Sequence, residues 1–409
     1  MNSSVSSSHS DSQSVEKIDY WTIVWSQFRK NRLAMIGLSS IVLLVLLAIY
    51  APLISLDKPL FYYYNSQWGF PFFWSLFDRN FFENGVDLFF NIQIFLLPSF
   101  CLLLFMNSRK KSIGRGISRK ILLNGFLAFS VILFLGLNLH PYHAPYEDWQ
   151  AMASQAKSDN EGFFIFAFKP LSYRQTSSVG SHPQAPSNEH LLGTDKEGRD
   201  VFARMIYGTR ISLTIGIVAV SIYILIGVIL GSVAGFFGGT MDLLISRFIE
   251  IMLCFPTFFL ILTLSALIQD KSIFHVMLII GFTRWPEVAR LVRAEFLKLK
   301  NMDYVQAAVA LGFSKSRVIF GHVLPNALGP VIVTAVFGVA SSILIESSLS
   351  FLGLGDVSAP SWGEILSQGR QEYKLWLILC PGMAIFLVVS IFNLVGEGLQ
   401  DAMDPKQRR

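Results

Sequence analysis

Apolar residues fall in eight blocks along the 409-residue chain, at 33–54, 88–106, 121–137, 211–236, 248–267, 273–285, 329–351 and 376–395. Most hold close to 20 residues, and a helix of ~20 residues is long enough to cross a hydrocarbon core ~30 Å thick. The block at 273–285 is short, and its helix is expected to run on into the aqueous phase through Arg290 and Arg293. The pattern predicts an all-α polytopic membrane protein with about eight spans. Composition agrees. The chain is 52% hydrophobic and 15% charged, whereas soluble chains carry about 25% charged residues.

The charged residues orient the spans, because Lys and Arg are retained on the cytoplasmic side. Arg29, Lys30 and Arg32 precede the first block and place residues 1–32 in the cytoplasm. The Ser-rich start of this segment has no apolar stretch behind a basic one, so it reads as a disordered tail rather than a signal peptide. The first span is 33–54, followed by an aromatic-rich outer segment, 55–87, expected at the membrane interface. A hairpin of two spans, 88–137, turns through a loop holding Arg109, Lys110, Lys111, Arg115, Arg119 and Lys120 and no acid. The stretch 138–207 is acidic and too polar to span, which suits the outer face. A core of five spans, 208–396, contains a cytoplasmic loop at 286–328, and 397–409 forms a cytoplasmic tail. Net charge is +5. The basic residues flank spans and form no continuous stripe, which argues against nucleic acid as a partner.

Candidate chemistry is sparse. Cys101, Cys254 and Cys380 lie in apolar blocks without a CxxC pair and read as small buried hydrophobes. The pair His140 and His143 lacks a third ligand and Pro141 favours a turn, so no metal site is assigned. His182 and His190 read likewise as loop residues. No G-x-x-x-x-G-K-[ST] loop occurs to cradle nucleotide phosphates, and no Ser/His/Asp constellation marks a catalytic site. Glu346 lies inside an apolar block. An ionisable group there is costly and is a functional candidate, with Ser347, Ser348 and Ser350 as neighbours able to bond it or to line a watery path. The alternative places it near the outer interface in contact with water. Arg247 and Glu250 are expected at the interface and able to pair, and Arg284 and Trp285 as interfacial anchors. Gly227, Gly231, Gly235 and Gly338 permit close helix approach.

The cytoplasmic loop carries the clearest local design. Asp303 is an N-cap candidate with Gln306 three residues later, a capping-box spacing. Gly312 follows as a stop able to take a left-handed conformation. The helix between them has about eight residues, marginal in water without packing. Tyr304, Ala307, Ala308 and Leu311 share one face, and its alanines allow close approach to a cleft. Ser314 caps a second helix that Pro325 ends. The result is a helix–turn–helix knob fitted to a partner. An ordinary connecting loop is the competing reading, but loops of this length are uncommon unless functional.

QAAVALG followed by HVLP resembles the EAA loop of ABC importer permeases, with Gln306 in place of the usual Glu. HLLGTDKEGRD at 190–200, YGTRISL at 207–213, GFFGG from 235, ESSLSFLGLG from 346, PSWGE from 360 and NLVGEGLQDAMDP from 393 resemble the dipeptide/oligopeptide/nickel permease family, C-type subunit. DKPL from 57 and WGFP from 68 are similar to its Yej-type branch. The hairpin 88–137 departs from the family's six spans and has no role in the pattern. The resemblance implies a type I ABC importer permease core in a bacterial inner membrane, transporting oligopeptides or dipeptides. It implies a second homologous permease, two ATPase subunits that bind ATP and Mg, and an extracytoplasmic binding protein. It makes 303–311 the coupling helix seated in the ATPase, with Gln306 excluding a salt bridge from that position. The same family includes nickel importers, for which His275 is the one intramembrane histidine available. An ion-coupled secondary transporter would need midplane carboxylates, and only Glu346 qualifies.

Overall fold

The computed structural model describes residues 20–112, 118–145, 147–159, 162–177, 181–269 and 271–404. The expected disorder of residues 1–19, the centre of the basic hairpin loop at 113–117 and the last five residues of the expected tail lie outside the described part.

The chain begins with helix α1 (Tyr20–Phe28) and α2 (Arg32–Ile49). The expectation of a disordered segment up to residue 32 is corrected here. Trp21, Val24, Trp25 and Phe28 recur at helical spacing, and Val24 and Phe28 are buried with Ala34, Val395 and Ala402. Asn31 caps α2 by accepting from the Ala34 N–H at 3.1 Å. The first span ends at Ile49, and a separate turn of helix, α3 (Ala51–Ile54), starts with Pro52 in its first turn, a position where the missing N–H costs nothing.

The aromatic segment then forms strands β1 (Phe61–Tyr64) and β2 (Gln67–Gly69) and helix α4 (Pro71–Ser75). The hairpin is α5 (Gly85–Ser112) and α6 (Arg119–Leu139). Helix α7 (Trp149–Asp159) and β3 (Gly162–Ile165) follow. The three strands make one antiparallel sheet in the order β2-β1-β3, an addition to the otherwise helical architecture.

The core comprises α8 (Val201–Phe237), α9 (Gly239–Cys254), α10 (Thr257–Leu267) and α11 (Ile273–Leu299). After two short helices and a π turn it continues with α14 (Leu324–Phe351), α15 (Trp362–Glu372) and α16 (Leu375–Met403). Helices α8 and α11 share the most extensive interface. Helix α8 starts ten residues before the apolar block does, because Asp200 caps it through the Ala203 N–H at 2.8 Å.

Among the described residues, six helices are long and apolar enough to cross a membrane, or seven if the bent pair α9–α10 counts as one. The expected eighth, 273–285, is the apolar half of α11, and its 13 residues reach only about 20 Å. The expected single span at 248–267 is broken by 80° between α9 and α10. Pro256 holds the preceding Phe255 in an extended conformation, φ −86° and ψ 130°, as a residue before proline prefers.

Three glycines of α8 face α11. A Cβ on Gly227 would lie 2.6 Å from Val288 Cβ, on Gly231 2.5 Å from the Ala289 carbonyl oxygen, and on Gly235 2.5 Å from Phe296 Cβ. Gly338 of α14 is covered in the same way by the Tyr223 hydroxyl. At Gly231 the obstacle is backbone and cannot rotate away. Gly231→Leu should therefore prise α8 from α11, at a cost of about 1–3 kcal/mol or more. A lowered thermal midpoint of the purified protein is the expected readout, and an unchanged midpoint would show that the seam is looser than this.

Other sequence expectations are also revised. Cys101 and Cys254 are exposed and Cys380 half-buried, all three free thiols. They sit on outward faces of apolar helices, which hydropathy alone cannot distinguish from inward ones. Trp285 is buried at 4% exposure, with its ring 5.2 Å from that of Phe248, so it is a core residue rather than an interfacial anchor. Arg284 donates to the Ser341 hydroxyl at 2.9 Å and pairs with Glu287 at 3.3 Å. Arg247 and Glu250 do pair on the surface, at 2.6 Å.

Candidate functional site: a stapled knob between two spans

Between α11 and α14 the chain forms α12 (Asp303–Ala310), α13 (Lys315–Val318) and a π-helical turn (Ile319–Val323). Only Asn301 and Met302 separate α12 from Lys300, the C-cap of α11. That short connection decides the capping. Met302 occupies the N-cap position, with its carbonyl accepting from the Val305 and Gln306 N–H groups at 2.9 and 3.1 Å. Asp303 is thus the first helical residue, exposed, and the expected capping box does not form. Its carboxylate still suits the positive end of the helix.

Gln306 does something else. Its side-chain amide donates to the Lys300 carbonyl at 2.8 Å, satisfying one of the orphan acceptors at the end of α11. The bond staples two helices across a sharp corner. A carboxylate at this position has no proton to donate, so Gln is the better residue for the staple.

The far end of α12 closes as a Schellman turn. The Gly312 N–H reaches the Val309 carbonyl at 2.9 Å and the Phe313 N–H reaches the Ala308 carbonyl at 3.2 Å. Gly312 has φ +76°, a left-handed conformation open to glycine without penalty. Ser314 caps α13 through the Arg317 N–H at 3.4 Å, as its position suggested. Pro325 does not end that helix. It is the second residue of α14, and the chain runs helically from Lys315 to Phe351. The π turn widens the helix just ahead of the proline, with the Leu324 N–H bonding back to the Ile319 carbonyl. This makes room for a ring that would otherwise strike the preceding turn.

The expected docking face is only partly outward. Tyr304, Ala307, Leu311 and Gly312 are exposed, Leu311 at 74%. Ala308 is buried at 4% beside Val305 at 1%, and both belong to the main core. Ala308 therefore anchors the knob and is removed from the docking face. Val305 was missed because Tyr304, Ala307 and Leu311 form an equally regular stripe one position away. Tyr304 leaves its ring half out of water while its hydroxyl accepts from the Asn326 amide at 3.3 Å. Partial burial holds its phenol above the usual tyrosine range. The knob is thus tied to α11 through Gln306 and to α14 through Tyr304, with an apolar surface left uncovered.

The other sequence candidates meet at the opposite end of α14. Glu346, Ser347 and Ser350 are buried at 2%, 5% and 4% exposure. Ser350 donates to the Glu346 carboxylate at 2.8 Å and Ser347 at 3.4 Å. A Cβ on Gly363 of α15 would lie 2.6 Å from the Ser347 carbonyl oxygen. Glu346 is therefore neither in contact with interfacial water nor lining an open channel in this conformation. Among the described residues no three His, Cys, Asp or Glu side chains cluster closely enough to hold a metal ion, and His275 stands apart from any such group.

A family model described as the binding-protein-dependent transport system inner membrane component matches residues 227–409, and one described as the N-terminal TM domain of oligopeptide transport permease C matches 19–69. The dipeptide transport system permease protein DppC of Alkalihalophilus pseudofirmus is 41% identical over 251 residues, which cover 60% of this chain and 82% of that protein. The oligopeptide transport system permease protein OppC of Haemophilus influenzae is 40% identical, with 60% and 78% covered. The inner membrane ABC transporter permease protein YejE of Escherichia coli is 36% identical over 266 residues, with 64% and 77% covered.

Proposed function

Because the chain belongs to the dipeptide/oligopeptide/nickel family of ABC-importer permeases as a C-type subunit, we propose that it forms half of a translocation path for oligopeptides or dipeptides and that its α12 knob seats in a groove of an ATPase subunit. As a permease of this multi-pass inner-membrane family it is a transport component, and ATP hydrolysis belongs to a separate subunit. The finer assembly is a heterodimer with a second homologous permease, two ATPases, and an extracytoplasmic binding protein that delivers substrate.

The observation that carries the docking reading is the uncovered face of Tyr304, Ala307 and Leu311 on a helix fixed at both ends. A helix this short owes its persistence to those ties. Through them, movement of the ATPase reaches α11 by the Gln306–Lys300 bond and α14 by the Tyr304–Asn326 bond and the π turn. Glu346, Ser347 and Ser350 join the path when α15 moves away from them, so substrate passage and motion of α15 go together. The peptide assignment rests on the names of the relatives and on the small number of charged groups within the core spans.

Reconstituted with its partners, the transporter should take up a labelled oligopeptide in an ATP-dependent manner and leave nickel outside. Nickel uptake without peptide uptake would assign the substrate to the other branch of the family. Uptake by this chain without any ATPase would remove the importer reading altogether.

A further inference from the structure

The small sheet is built with its large apolar residues pointing outward. The strand register puts Phe61 and Tyr63 of β1, Trp68 of β2, and Phe163 and Ile165 of β3 on one face. No charged residue shares it. Trp68 is 61% exposed, Phe163 45% and Ile165 43%. The opposite face, with Tyr62 and Phe164, is the one covered, by Trp149 of α7 at 5.4 Å between ring centroids. A half-buried antiparallel sheet in water shows the reverse alternation, and an exposed apolar patch of this kind marks an interaction surface. The rings on this face pack against one another. Tyr63 meets Trp68 at 4.9 Å, and Phe163 meets Trp68 at 6.0 Å and Phe61 at 6.1 Å.

What covers it follows from its continuity with a spanning helix. Phe61 meets Phe70 at 6.4 Å, Phe70 meets Phe73 at 6.4 Å, and Phe73 of α4 rests on Phe95 of α5 at 5.9 Å. Phe95 precedes Arg109 by about 21 Å of helix at 1.5 Å per residue. If Arg109 marks one boundary of a core ~30 Å thick, Phe95 lies about 9 Å inside the other boundary. Helix α4 therefore stands at the level of the outer leaflet, and the sheet face continues from it.

We propose that the face formed by Phe61, Tyr63, Trp68, Phe163 and Ile165, with Phe70 and Trp74 at its edge, is seated in the headgroup–acyl boundary of the outer leaflet. Trp and Tyr rings favour that level because one end is apolar and the other can stay wet. The consequence reaches beyond the aromatic segment. Strand β3 belongs to the acidic stretch 138–207, so this stretch is held down on the membrane by its own strand. The sheet and the hairpin then form one membrane-seated unit beside the permease core.

The test uses the assembled transporter in liposomes, with Cys101, Cys254 and Cys380 changed to alanine. Single spin labels are placed at Trp68→Cys and Phe163→Cys, with Leu127→Cys on the exposed side of α6 as a lipid-facing control and Glu147→Cys as a water-facing one. Labels at 68 and 163 should behave like 127, relaxed by oxygen and shielded from a water-soluble nickel chelate, with 147 showing the opposite. Accessibility to the chelate at 68 and 163 would put the face in water and overturn the proposal. Shielding from both reagents would put a protein on it and overturn it equally. A second readout needs no label. With Trp68 and Trp74 changed to Phe, the share of tryptophan emission quenched by acyl-brominated lipids should fall, and an unchanged share contradicts the assignment.

Discussion

Asp87→Leu is expected to destabilise the protein by about 3–5 kcal/mol, because it leaves a buried guanidinium without its counter-charge. Arg210 and Asp87 are 0% and 1% exposed and 2.9 Å apart. Arg210 is otherwise fully engaged. It donates to the Ala48 carbonyl at 2.7 Å, the Ile49 carbonyl at 3.3 Å and the Asn91 side-chain oxygen at 2.9 Å. Its planar face lies over the Tyr207 ring at 5.0 Å and the Phe90 ring at 5.5 Å. The Tyr173 hydroxyl completes the shell of Asp87 at 3.3 Å. Ala48 and Ile49 are the last residues of α2, where carbonyls lack helical partners and the dipole is negative. One cation thus joins the end of the first span, the first helix of the extra hairpin and the start of α8.

The expected readouts are a fall in thermal midpoint and increased proteolysis of the hairpin in the membrane. The double replacement Arg210→Met with Asp87→Leu removes both charges and should recover much of the loss, since apolar residues of similar size often substitute for a buried pair. A single mutant as stable as the wild type, or a double mutant losing the sum of the two singles, would contradict the clamp. The clamp also gives the hairpin a structural role. The sequence pattern showed it only as an insertion.

The spans were legible because their signal is local. Twenty apolar residues in a row need no knowledge of the rest of the chain, and neither does the Ser314 cap or the Gly312 stop. What failed depended on distant partners or on small geometric choices. Strands β1 and β3 pair across about a hundred residues, so neither announces a sheet by itself. The Asp87–Arg210 bond links two residues at the margins of separate apolar blocks, where a charge is usually taken for an interfacial one. Pro256 was visible in the sequence, but the apolar run on either side of it outweighed it. Between α11 and α14 the short helix is legible to within one residue of its observed end, Ala310. Its inward side was misassigned at Ala308, because alanine has too little hydrophobic surface to indicate which way it faces. Gln306 was read as a cap. Its true acceptor, the Lys300 carbonyl, is within reach because only three residues separate the end of α11 at Leu299 from the start of α12 at Asp303.

The second large effect is expected at the exposed face of α12. Ala307→Trp and Leu311→Glu alter side chains that touch little of the chain itself, so the permease should fold and insert normally. Each should nevertheless weaken ATPase association by more than about 30-fold, the loss of roughly 2 kcal/mol that marks a central interface residue. Ala308→Trp makes a poor test, because Ala308 is buried and its replacement would disrupt the knob itself. Gln306→Glu is more informative. It leaves the docking face intact but removes the donor to the Lys300 carbonyl, so it should loosen α12 from α11 and reduce the coupling of ATP hydrolysis to transport more than the assembly itself.

The most direct measurement is co-purification of the ATPase with membrane-inserted permease carrying Ala307→Trp or Leu311→Glu. Docking through α12 requires that the permease be recovered in wild-type amount with little or no ATPase and that ATP-driven uptake be lost. Full recovery of the ATPase with both variants, together with normal uptake, would show that the partner sits elsewhere on the chain.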